Sequence, residues 1–231
     1  LKTLLEAGYL PNEIDLFVAN SDEYDNYKKV VHPDINIIIG CEGLRNIRNF
    51  IFNYYDEGEK LLCLDDDIET IKVLDPETER LHDLIDLKSE VEKGFRLCEE
   101  NSLKLWGIYT CCNPRFMNNS KTITYDYKFI IGNFFGCINC RDMNQLDVED
   151  IDDYERSIRS YLLYGGSVRL NYLGAKTKFM ANSGGCQIDD HRFDTINSSI
   201  EILMNKYPKM FYIKKKKSGI GKTIMLKDQR G

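Results

Sequence analysis

Three consecutive aspartates, Asp65, Asp66 and Asp67, stand directly after the apolar run of residues 61–64 and directly before a second apolar, period-two stretch that opens at Ile68. Adjacent carboxylates repel one another, and their proton affinity rises unless a cation relieves them. A hard divalent ion with oxygen ligands, Mn²⁺ or Mg²⁺, suits that task. A solvated acidic turn is the plainer alternative, although a turn between antiparallel strands more naturally uses Asn-Gly or Gly. A second acidic segment, Glu149-Asp150-Ile151-Asp152-Asp153-Tyr154-Glu155-Arg156, opens a helical pattern. One of its carboxylates, Asp150 or Asp152, can take a proton from a reacting hydroxyl. The same residues can instead cap the helix and favour its positive end. Arg45 and Arg48 are three apart and so share one helix face. Their planar forks suit phosphates, and they suit local acids equally well. Asn49 beside them can cap or orient the same region. His191, after Asp189-Asp190, is either a further metal ligand or an exposed loop residue. Trp106, Tyr127, Phe129, Phe134 and Phe135 fit core packing more readily than stacking on a sugar or base.

The elements that must position these groups follow from periodicity. A helix ends at Ala7 before Gly8, and residues 14–19 form a short strand. Ser21 can cap a helix running to about Val30. Residues 35–39 form a buried-type strand, 44–55 an amphipathic helix and 60–64 the next strand. Such alternation predicts an α/β fold with a mostly parallel sheet flanked by helices. In an open parallel sheet, ligands bind outside the carboxyl ends of the strands, which is where Asp65–Asp67 lie. The second half is mixed. It has helices at 86–101, 151–164 and 195–206, and strands at 103–110, 168–173, 177–180, 211–215 and 223–227. A strand pair or long bent strand spans 127–139. No repeat or linker divides the chain, so the 231 residues read as a single domain.

Composition narrows the function. The net charge of −6 argues against a general coat for nucleic acid. Residues 207–231, however, hold eight Lys or Arg and one acid, Asp228. A basic tail therefore follows an acidic body. Eight cysteines are too sparse for a disulfide scaffold, and Cys137-x-x-Cys140 lacks the second pair a zinc site wants. Reduced cysteines in a cytoplasmic protein are the simpler expectation. No apolar run approaches a membrane span and no signal peptide is visible. Ser218–Ile224 lacks the first glycine of a phosphate loop.

The acidic strand end, the Glu149–Arg156 segment, Ser183-Gly184-Gly185-Cys186-Gln187 with Arg192, and Gly43–Phe50 together resemble the GT-A glycosyltransferases. They are similar to the TET-associated glycosyltransferase group and its viral and phage relatives. Asp153 departs from the hydrophobic residue usual at that place. The family's first strand has no counterpart and would lie upstream of Leu1. The resemblance implies a metal-dependent, inverting transfer from a nucleotide sugar, a UDP-sugar foremost. In that frame Asp67 ligates the metal, Asp65 faces the ribose or the metal's water shell, and Asp66 orients them. Gly184 and Gly185 belong to a loop that closes over the donor. The implied acceptors are hydroxylated bases in DNA, or viral and protein glycans. The setting would be cytoplasmic, in the host if the protein is viral. A nucleotide-sugar-binding protein, a metal-dependent nucleotidyltransferase and a carboxylate-pair glycosidase are the competing readings.

Overall fold

A computed structural model describes residues 1–117, 121–177, 190–215 and 222–227. The fold is mixed α/β. Its first half runs α1 (Lys2–Glu6), β1 (Asp15–Val18), α2 (Ser21–Lys28), β2 (Asn36–Ile39), α3 (Leu44–Tyr54) and β3 (Lys60–Leu64). β4 (Ile68–Asp75), β5 (Arg80–Asp83), α4 (Leu87–Glu100), β6 (Leu105–Tyr109), α5 (Pro114–Met117), β7 (Ile123–Thr124) and β8 (Phe134–Ile138) follow. The chain continues with α6 (Arg141–Asn144), α7 (Asp152–Tyr164), β9 (Val168–Thr177), α8 (Asp190–Lys206), β10 (Phe211–Lys215) and β11 (Lys222–Leu226).

β1 and β2 pair in parallel, as the alternation predicts, but they form a sheet of two. β3 lies instead at the edge of a seven-stranded mixed sheet, ordered β3-β8-β6-β9-β4-β5, with β7 added on β9. Among the described residues only β6 and β9 pair in parallel within it. The expectation of a mostly parallel sheet is thus corrected. The wholly buried β8 inserts antiparallel between β3 and β6, and no local pattern announces such a neighbour. The outer edges of β1 and β3 have no strand partner among the described residues. The expected strand over 127–139 shortens to β8.

α4 shows how the core is made. Leu87, Val91, Gly94, Phe95 and Cys98 share its buried face, and Asp86 caps it by accepting the Ser89 amide at 3.0 Å. Opposite, Trp106 is fully buried between glycines. A Cβ at Gly94 would sit 2.4 Å from its ring, and one at Gly136 2.1 Å. Trp106 is therefore core and offers no face to a ligand. The basic tail is also more than a tail. β10 and β11 pair antiparallel, and Phe211, Ile224 and Leu226 join Tyr127, Val148, Ile158, Ile200 and Leu203 in a second core. Among the described residues no helix is long and apolar enough to cross a membrane.

Candidate functional site

The acidic turn leaves β3 at the sheet's edge. The Asp65 amide donates to Asn133 O at 2.9 Å across the β3–β8 ladder. This sets the triplet beside the start of β8. α3 enters the same place. Its N-cap, Gly43, has φ +90°, and a Cβ there would lie 2.9 Å from Glu149 Oε1. Glycine thus permits both the left-handed turn and the close approach of the second acidic segment.

Three residues of α3 then face that segment. Arg45 meets Glu149 at 3.7 Å and donates to Asp147 O at 3.3 Å. Asn49 clamps Leu146 both ways, donating to its carbonyl at 3.0 Å and accepting its amide at 2.8 Å. Arg48 donates to Asp65 Oδ1 at 2.7 Å, and its Nε stands 3.8 Å from Asp152 Oδ2. Burial disfavours the charge on Arg48, but Asp65 and Asp152 more than restore it. Arg48 is only 11% exposed; one arm hydrogen-bonds Asp65, while its buried Nε has no hydrogen-bond partner among the described residues. The alternative of local acids, left open by spacing, is the one observed.

α7 begins directly after Ile151, which has φ 58° and ψ 32°. A β-branched residue in the left-handed region is strained and persists only where its surroundings hold it. The strain falls between the two candidate proton acceptors. Asp150 is 8% exposed, and its amide donates to Ser199 Oγ at 3.3 Å. Asp152 accepts from Arg156 at 2.8 Å. Burial would raise the Asp152 carboxyl, but Arg156 and then Arg48 outweigh it and hold it below its ordinary value. Arg156 is itself buried, its guanidinium 4.4 Å from the Phe135 ring centre. Asp153 takes the amides of Gly132 at 3.2 Å and Tyr154 at 2.9 Å. Burial first, then Asp152, pushes it up to about 7.

Two acceptor oxygens in this region, Asp67 Oδ1 and Asn133 Oδ1, are buried with no hydrogen-bond partner among the described residues. Burial, then Asp65 and Asp66, raises the Asp67 carboxyl. Unpaired oxygens and mutually repelling carboxylates both suit a cation. No three His, Cys, Asp or Glu among the described residues form a group that could hold a metal ion.

Gly184 and Gly185 lie outside the described residues. His191 stands in the first turn of α8 by its backbone; its side chain lies outside the described residues. Sequence reasoning missed Asn133 and Tyr27. The only signal for Asn133 was its place before an apolar strand. The Tyr27 hydroxyl is raised by burial, then by Asp66 and Glu23. No family model, curated protein or solved structure matches this chain.

Proposed function

We propose that this chain is a metal-dependent glycosyltransferase that moves a sugar from a nucleotide sugar, a UDP-sugar foremost, to a hydroxyl acceptor. The observation that carries the reading is the Arg48 bridge. It draws two acidic segments far apart in the chain, Asp65–Asp67 and Glu149–Arg156, to one site through Asp65 and Asp152. One segment has the character of a cation site and the other of a proton acceptor.

In the proposed reaction the acceptor oxygen attacks the anomeric carbon. The bond from that carbon to the diphosphate breaks, and its electron pair leaves on the nucleoside diphosphate. The acceptor's proton passes to a carboxylate. We assign that role to Asp150. Asp152 is committed to Arg156 and Arg48, which hold its proton affinity low. Asp65 and Asp67 would hold Mn²⁺ or Mg²⁺, with Asn133 beside them, and the ion would offset charge developing on the diphosphate. Asp66 would orient them. The acceptor is a hydroxylated DNA base or a glycan or protein hydroxyl, and a cytoplasmic setting fits the reduced cysteines.

Incubation with a panel of nucleotide sugars and Mn²⁺, with hydroxymethylated DNA or simple glycosides as acceptors, tests the reading through nucleoside diphosphate release. Asp150→Asn should lower release by about 100-fold while nucleotide affinity holds. Binding without release would favour a nucleotide-sugar-binding protein, and release of pyrophosphate a nucleotidyltransferase. No nucleotide binding in the presence of metal would overturn the reading.

A further inference from the structure

Glu155 lies one turn into α7 and is 0% exposed. An ionised carboxylate taken fully out of water costs several kcal/mol unless it is paired and hydrogen-bonded. Here every lone-pair direction is used. Oε2 accepts the amides of Asp147 at 2.7 Å and Val148 at 3.2 Å. Oε1 accepts Arg159 Nη2 at 2.8 Å and Nε at 3.0 Å. Arg159 also reaches Asp147 Oδ2 at 3.0 Å. From the end of α8, Lys206 pairs with the Asp147 carboxylate and stands 3.5 Å from Glu155 Oε1, and Tyr207 Oη stands 3.4 Å from the same oxygen. Two carboxylates and two cations balance.

We propose that Glu155 is a positioning residue that sets the place of Asp150; this rests on reading Asp150 as the proton acceptor. The segment between α6 and α7 has no ladder or helix to satisfy its backbone, so side chains must do so. Asn49 takes Leu146, Glu155 takes Asp147 and Val148, and Ser199 takes the Asp150 amide. The held segment ends at the strained Ile151. A proton acceptor displaced by about 1 Å can lose on the order of 100-fold in rate. Replacing a buried ion pair by packed hydrophobes is often neutral or stabilising. Stability alone therefore does not explain a charge at position 155; fixing a functional loop does.

The test uses the full chain with a sugar donor that it turns over. Glu155→Met keeps size and removes both acceptor oxygens, so it releases the two loop amides and Arg159 together. Deuterium exchange over residues 146–151 should become about tenfold faster, the equivalent of one lost hydrogen bond. Turnover should fall about 10- to 100-fold, with donor KM and metal–nucleotide affinity unchanged. Lys206→Gln alters an exposed side chain and should give the same pattern more weakly. Unchanged exchange overturns the proposal, and so does faster exchange with unchanged turnover. A fall in turnover matched by loss of nucleotide affinity also overturns it, since general loosening would do that. If the unaltered protein releases no nucleoside diphosphate from any donor, the glycosyltransferase reading falls first, visibly before any variant is made, and the positioning role falls with it.

Discussion

Arg48 and Asp65 form a 2.7 Å ion pair at the end of β3, and the guanidinium is 11% exposed. The same arginine neighbours Asp152. One cation therefore separates two acidic segments that would otherwise repel each other at close range. Arg48→Met should leave Asp65 unpaired and Asp152 half-paired, at a cost of about 1–2 kcal/mol, below the scale for a wholly buried pair because Asp65 is 39% exposed. Arg48→Lys keeps the charge without the fork and should recover only part. Urea unfolding midpoints check this. A Met variant within about 0.5 kcal/mol of the parent would mean that the bridge holds nothing.

Asp67 has the opposite relation to stability and binding. Its carboxyl is raised by burial and by Asp65 and Asp66. A raised acid contributes stability that is present below its unfolded pKa and lost as pH rises through the folded one. Without metal at pH 7, Asp67→Asn should therefore be neutral or slightly stabilising, by less than about 1 kcal/mol. It should also abolish metal-dependent nucleotide binding, measured by calorimetry with Mn²⁺. Full binding by the variant would remove Asp67 from the site.

Asp153 should titrate near neutrality. Pushed up to about 7 by burial and then by Asp152, it favours the folded state most below about pH 4, the unfolded carboxylate range. That contribution fades between about pH 4 and 7. Relative to Asp153→Ala, the parent should thus lose about 2 kcal/mol on going from pH 4 to pH 8, allowing for its partial contact with water. Carboxyl carbon NMR should place the midpoint near 7. A midpoint near 4 would contradict the arrangement.

The C-terminal hairpin should prove structural. Phe211 is 5% exposed in the second core, Tyr127 Oη donates to Met210 O at 2.9 Å, and Tyr154 Oη donates to Ile224 O at 3.0 Å. Phe211→Ala should cost about 3 kcal/mol, read from thermal unfolding. A solubilising tail would tolerate the change with almost no shift in Tm.

The sequence by itself determined the pieces and their ends. Four apolar residues after Lys60 made β3, and the Asp run closed it where the chain must meet water. The spacing of Leu44, Ile47 and Ile51 made α3 amphipathic, and the acids after Val148 marked the start of α7. These are local signals, because strand and helix periodicities and charge at a helix end act over a few residues. Tertiary structure alone decided what those pieces face. That β8 would flank β3, that Arg48 would be spent on Asp65 and Asp152 rather than left open to phosphate, that Asn133 would lie across from Asp65, and that Glu155 would gather the Asp147 loop with α8 all depend on pairings between residues far apart in the chain or on how a loop folds back. A carboxylate or a guanidinium has the same local pattern whether it meets water, metal or another side chain. Only the packing around it settles its partner.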